Sequence, residues 1–244
     1  MKAYRIMFGL WLLGNLLFVS VSMAEESPQQ VVEFGDSTTA PRGSLRVYSL
    51  ILQEHFRKTG QPVRVTNAGV PGNHTVAARK RFQKDVLDRR PAVVIIQFGI
   101  NDSAIDVWKT PPAKSPRVSQ EAYEQNLQFF IHELQQRNVS IILMTPNPLA
   151  WTPKLKELYG KPPYNPQDED GFNLLLKEFA ASCRKIAKQE KIPMVDVYAE
   201  FQKQDVSQLL LDGMHPNENG HQLVAEQILK LLPEILGKRS TEQE

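Results

Sequence analysis

The chain has 244 residues, 41% of them hydrophobic and 23% charged. That balance belongs to a folded globular protein and excludes a disordered tail, a collagen-like fibre and a polytopic membrane protein. The 29 lysines and arginines nearly match the 27 acids, and the lone cysteine, Cys183, cannot form an internal disulfide.

The first 24 residues read separately. Lys2 and Arg5 precede an apolar run over 6–21, and Ser22-Met23-Ala24 follows with small residues suited to a cut after Ala24. This order is that of a secretory signal peptide, with an uncleaved membrane anchor as the alternative. The segment holds two of the 29 basic residues and no acid, so the rest carries 27 against 27. A net charge of zero gives no bulk attraction to nucleic acid or anionic membranes, and no stable membrane insertion is expected once the leader is removed. Residues 25–240 are expected to form one domain. An export signal beside an unpaired cysteine fits a bacterial protein sent to the periplasm or beyond the cell. Cys183 lies on a helical face and reads as a buried structural thiol.

Short β-rich runs then alternate with longer segments of helical period. The run Val31-Val-Glu-Phe34 precedes helical periodicity over 44–59, and Val63-Arg-Val-Thr66 precedes 75–89. Ala92 to Phe98 precedes a helix over 119–137, Val139 to Thr145 one over 171–190, and Ile192 to Val197 one over 217–236. Runs apolar on both faces, such as Ala92 to Phe98, belong inside a parallel sheet covered by helices. The expected fold is α/β: a three-layer α/β/α sandwich around a five-stranded, mostly parallel sheet of flavodoxin-like type. Glu33, inside an inner strand, needs a polar partner that the sequence does not name.

Two connections exceed this scheme. Residues 103–118 hold Trp108 and three prolines, and residues 147–170 hold Trp151, Tyr159, Tyr164 and five prolines. Both follow the carboxyl end of a strand, where open α/β sheets bind ligands, so they are expected to wall or cover a substrate site.

Four patches carry chemistry. Phe34-Gly35-Asp36-Ser37 puts a serine hydroxyl and a free amide on the turn after the first strand. Asn67 to Thr75, with Gly69 and Gly72, offers backbone amides near a helix start. Gly99-Ile-Asn101-Asp102 offers a side-chain amide after the third strand, and Asp212-Gly-Met-His215 sets an acid against one imidazole nitrogen before the last helix. The other nitrogen is then free to take a proton from serine. Each patch alone is a weak signal; four in this order at strand ends are strong together.

These blocks resemble those of the SGNH hydrolases, the GDSL esterase family, over about residues 30–236. The resemblance implies Ser37 as nucleophile, His215 as base and Asp212 as its partner. It implies an oxyanion hole from the Ser37 amide, the Gly72 amide and the Asn101 side chain. Thr38-Thr39 stands where the longer form of the first block has leucine, which leaves these roles intact. The Gly-x-Ser-x-Gly elbow of the common α/β-hydrolases is missing.

No cofactor or metal is expected: the five histidines form no His-Glu-x-x-His site and there is no cysteine pair. His55, His132 and His221 lie in helical segments. His74 adjoins the second block and lines the pocket or starts a helix. The basic run from Arg79 to Arg90 reads as a solvated helix face. The expected function is a serine esterase acting on short acyl esters, acetyl first, of a carbohydrate, with His74, Trp108 and Trp151 lining the substrate. A lysophospholipase or thioesterase acting on longer chains, a polysaccharide O-acetyltransferase and an inactive glycan-binding module are the alternatives.

Overall fold

The computed structural model describes residues 27–241; the leader expected over 1–24 lies outside them. Strands β1 (Gln29–Gly35), β2 (Val63–Gly69), β3 (Val93–Gln97), β4 (Ser140–Met144) and β5 (Met194–Val195) form one sheet in the order β2-β1-β3-β4-β5. Every pairing is parallel. The described residues also form α-helices α1 (Tyr48–Lys58), α2 (Thr75–Asp85), α3 (Ile100–Ser103), α4 (Gln120–Gln135), α5 (Pro153–Tyr159), α6 (Leu174–Glu190), α7 (Val197–Phe201), α8 (Glu218–Leu229) and α9 (Leu232–Thr241).

The alternation of side chains along a strand sorts the core into two layers. Val32 and Phe34 of β1 point with Val94 and Ile96 toward Phe82 of α2, Phe130 of α4 and Phe179 of α6. Val31, Val93 and Ile95 point the other way, toward Tyr48 and Leu52 of α1 and Val224 and Ile228 of α8. Both faces of the inner strands are covered, which is why they are almost continuously apolar. Cys183 belongs to the first layer, and burial pushes its thiol pKa up. Glu33 faces the second layer with no exposed surface; burial raises its carboxyl well above the ordinary range, and the neighbouring Ser49 hydroxyl opposes the shift.

Three local expectations are corrected. The helix expected from residue 44 begins at Tyr48, so Ser37 stands on its own turn, closed by the Ala40 amide on the Asp36 carbonyl at 3.0 Å. The last helix, expected over 217–236, is two: α8 ends at Leu229 and α9 starts at Leu232. The basic run is not uniformly solvated. Arg81 donates to the Gly35 carbonyl at 2.8 Å, the Ala68 carbonyl at 2.7 Å and Asn73 Oδ1 at 2.7 Å, and its guanidinium lies over the Phe34 ring. It ties the ends of β1 and β2 together.

The two long connections are not loose covers. Ile105 and Val107 of the first pack with Leu149, Leu155, Tyr159 and Tyr164 of the second, and with Phe172 and Leu176, in a third apolar cluster beyond the carboxyl ends of the strands. Tyr164 bonds across them, its hydroxyl accepting from the Ile105 amide at 2.8 Å.

Candidate active site

The strand order reverses between β1 and β3. Successive connections leave these neighbours in opposite directions, and the gap at their carboxyl ends is where open α/β sheets form a crevice. Gly35 is paired in register with Gln97, so the residues that follow each strand emerge side by side. These are Ser37 and Asn101.

Gly35 is required for room rather than for a left-handed turn. A Cβ there would stand 2.0 Å from Thr39 Oγ1. The turn is set by Asp36, which is 1% exposed. Its Oδ1 accepts from the Thr38 amide at 2.8 Å and the Thr38 hydroxyl at 2.9 Å, and its Oδ2 from Asn101 Nδ2 at 3.2 Å. Burial raises the Asp36 pKa against these hydrogen bonds. Thr38 therefore serves the carboxylate. Ser37 is left half-buried among buried neighbours.

His215 reaches Ser37 from the other end of the chain: its Nε2 lies 2.9 Å from Ser37 Oγ. Its Nδ1 lies 2.8 Å from Asp212 Oδ2, so the neutral ring holds its proton on Nδ1 and turns a lone pair to the serine. Asp212 Oδ1 accepts from the Met214 amide at 3.0 Å and the His215 amide at 2.9 Å. Burial acts to raise the Asp212 pKa, but the hydrogen bonds and charge of His215 outweigh it and leave the carboxyl well below the usual range. The Asp212–His215 turn is anchored on both sides. Leu211 donates to the His215 carbonyl at 2.7 Å, Ala150 to Gly213 at 2.9 Å, and Asn147 Nδ2 to Met214 at 2.9 Å. Asn217 then caps α8 through the Gly220 amide at 3.0 Å.

Gly72 is exposed, with φ +76°, a left-handed conformation that favours glycine. Its segment is pinned to α3 at Thr75, whose amide and hydroxyl donate to Asp102 Oδ1 at 2.8 and 2.5 Å. His74 takes the helix-start role, its Nδ1 accepting from the Ala77 amide at 3.4 Å. Burial and the charges of Arg117 and Lys80 lower its pKa, in keeping with an accepting, neutral ring.

Ser37 and His215 open on a cavity of about 160 Å³ walled by Ile100, Leu149, Tyr159, Tyr164, Phe172 and Leu176. Neither of the tryptophans expected to line the substrate borders this cavity. Trp108, 46% exposed, flanks an outer crevice with Gly72, His74, Lys109 and Arg117. Trp151 stacks on Phe172 at 4.5 Å, donates to the Asp168 carbonyl at 3.0 Å and walls a separate polar groove. No local pattern in the sequence marks this wall, because α3, α5, α6 and two loops each contribute one or two of its residues.

Sequence reasoning also missed Arg117. It donates to Asn101 Oδ1 at 2.8 Å and to Asp106 Oδ1 at 2.7 Å. Among the described residues no group of three His, Cys, Asp or Glu side chains could hold a metal ion, and no helix is long and apolar enough to cross a membrane.

The family model described as GDSL-like Lipase/Acylhydrolase matches residues 34–223. The uncharacterized lipoprotein YqeF of Bacillus subtilis is 31% identical, over 93% of this chain and 97% of that protein. An acetylxylan esterase of Geobacillus stearothermophilus is 26% identical, over 88% and 92%. Among solved structures, the lipase/acylhydrolase from Enterococcus faecalis superposes with a TM-score of 0.64 at 27% identity, over 86% of this chain and 96% of that one. The acetylxylan esterase Axe2 of Geobacillus stearothermophilus superposes with a TM-score of 0.66 at 23% identity, over 84% and 94%, and shares the fold. The chain belongs to the GDSL-like lipase/acylhydrolase family, the SGNH hydrolases, and is a serine carboxylic ester hydrolase.

Proposed function

We propose that the protein is an exported esterase that removes short acyl groups, acetyl and its near homologues, from a carbohydrate. The observation that carries this reading is the 2.9 Å contact of Ser37 Oγ with His215 Nε2 at the mouth of a cavity of about 160 Å³, polar at Thr38, Asn101 and Arg117 and mainly apolar over the rest of its wall. An apolar cavity of about 150 Å³ takes up a benzene-sized group, so this one suits acyl groups up to about six carbons and is too small for a sixteen-carbon chain. The exposed Trp108 beside the outer crevice suits a sugar ring in the alcohol half of the ester. Export draws support from the leader-like start of the chain and from a relative named as a lipoprotein.

In this reading His215 removes the Ser37 proton as Oγ attacks the ester carbonyl. The negative charge that develops on the carbonyl oxygen meets the amides of Ser37 and Gly72 and the Asn101 Nδ2 group. Asp212 holds the Nδ1 proton and stabilises the imidazolium. His215 then protonates the departing alcohol, and water, activated by the same imidazole, releases the acid from the acyl-enzyme.

The test is a chain-length series with the purified protein: p-nitrophenyl acetate, hexanoate and palmitate, followed by acetate release from acetylated xylan. Cleavage of acetate and hexanoate, little cleavage of palmitate, and a loss of at least about 10⁴-fold in Ser37→Ala are expected. A preference for palmitate favours the lysophospholipase or thioesterase reading. Acyl transfer to an added sugar outpacing hydrolysis favours the acetyltransferase. Binding of acetylated xylan without cleavage of any ester favours the inactive module.

A further inference from the structure

We infer that Arg117 is a positioning residue for the oxyanion contact: with Asp36, it locks the Asn101 amide in the single orientation that leaves an N–H for the developing oxyanion. The inference rests on the reading of Asn101 as an oxyanion donor.

The two ends of an asparagine side chain have nearly the same shape and opposite hydrogen-bonding character. A carboxamide held by shape alone would present its oxygen to the oxyanion about as readily as its nitrogen, and an oxygen there repels the charge it should stabilise. The neighbours of Asn101 remove this ambiguity. Arg117 Nη1 lies 2.8 Å from Oδ1, and a guanidinium only donates. Asp36 Oδ2 lies 3.2 Å from Nδ2, and an ionised carboxylate only accepts. Reversing the amide would set donor against donor on one side and acceptor against acceptor on the other. In the observed orientation Asp36 takes one of the two Nδ2 hydrogens, and the second is available to a ligand. The charged donor on Oδ1 also polarises the amide and strengthens that N–H.

Arg117 is itself held in a way only a guanidinium permits. Nε and Nη2 lie side-on to Asp106, at 3.0 and 2.7 Å from Oδ1. That edge-on pairing projects Nη1 toward Asn101. The Asp106 side chain is 5% exposed and also pairs with Lys109 Nζ at 2.6 Å. The segment has other anchors: Ile105 and Val107 sit in the apolar cluster, and the Val118 amide donates to the Asp102 carbonyl at 3.1 Å. Removing the Arg117 fork therefore frees the Asn101 amide while the loop keeps its apolar seat.

A double-mutant cycle tests the inference. It uses Arg117→Leu, Asn101→Ala and the double variant, with kcat and KM measured on p-nitrophenyl acetate and hexanoate, and with Arg117→Lys as a second variant. Acting through Asn101, Arg117→Leu lowers kcat about tenfold with KM within about threefold of wild type. In the Asn101→Ala background the same change costs less than about threefold. Arg117→Lys keeps a cation for Asp106 but cannot serve both partners, and falls between. Equal losses in both backgrounds overturn the inference, as does a rise in KM at constant kcat, which marks a substrate contact. If Arg117→Leu does not fold, Arg117→Lys carries the cycle under the same criteria. Asn101→Ala within tenfold of wild type defeats the oxyanion reading itself; a large Asn101→Ala loss with an additive Arg117 defeats only the inference.

Discussion

Two carboxylates flank the Ser37–His215 pair, and the molecule holds them in opposite ways. Asp36 is 1% exposed, and Asn101, one of its donors, lies 65 residues away in sequence. The Asp212 side chain is 46% exposed. Its side-chain contacts come from Met214 and His215, all within three residues. The buried half of the site is therefore a product of the whole fold, since Asp36, Asn101 and Arg117 meet only when β1, β3 and the 103–118 connection are in place. The exposed half is a product of one turn. Losing a partner in the first leaves polar groups unpaired and dry; losing one in the second lets water substitute.

Three substitutions put this contrast to the test. The largest effect is expected from Asp212→Asn. The Met214 and His215 amides keep the side-chain oxygen in place, so the new amide nitrogen faces imidazole Nδ1 and donates to it. The ring must then carry its proton on Nε2, the wrong tautomer for taking one from serine, and kcat falls by about 10³–10⁴-fold. Asn101→Ala comes next: its proposed role as an oxyanion donor predicts a loss of about 10²–10³-fold in kcat. Asp212→Ala is milder, about ten- to a hundredfold, because water can reach Nδ1 in so open a position. Steady-state kinetics on p-nitrophenyl acetate rank the three, and Asp212→Ala as damaging as Asp212→Asn would remove the distinction between a local and a global carboxylate.

The same contrast separates what was legible in the sequence from what was not. The sheet could be read because its strands, apolar on both faces, carry that burial in their own composition, as in Val93–Gln97. Ser37, Asp212 and His215 could be read because each stands in a short patch whose spacing already implies a turn. Arg81 and Arg117 could not. One sits in a basic run that looks solvated and the other in a proline-rich connection, and each acquires its partners across a tertiary contact, Gly35 lying 46 residues from Arg81. Trp108 and Trp151 are the largest aromatics on the two long connections, yet Tyr159, Tyr164 and Phe172 wall the cavity. Which aromatic faces the serine depends on how the two connections pack together, and no local pattern encodes that.

The last expected effect is on stability rather than on rate and concerns Asp102, which pins the Gly72 segment to α3 through Thr75. It has no exposed surface, and Oδ2 lacks a hydrogen-bond partner. Burial, resisted by the Thr75 hydrogen bonds, lifts its pKa from 3.8 to about 7. Between these values the folded protein binds a proton that the unfolded chain has released. This contribution is complete below about pH 4 and is lost as pH rises through 7, at up to about 1.4 kcal/mol per pH unit. Asp102→Asn keeps an oxygen for Thr75 and abolishes the titration. Urea unfolding at pH 5, 6, 7 and 8 should show the variant gaining on wild type with each step up to pH 7 and levelling off beyond it. Glu33 and Asp36 add slopes of the same sign, and Asp212 an opposite one at lower pH, in both proteins, so the difference between variant and wild type reports Asp102 together with its coupling to Asp36. A difference that stays constant across the series means that Asp102 is already ionised in the folded protein, and that the buried half of the site tolerates a charge its surroundings do little to offset.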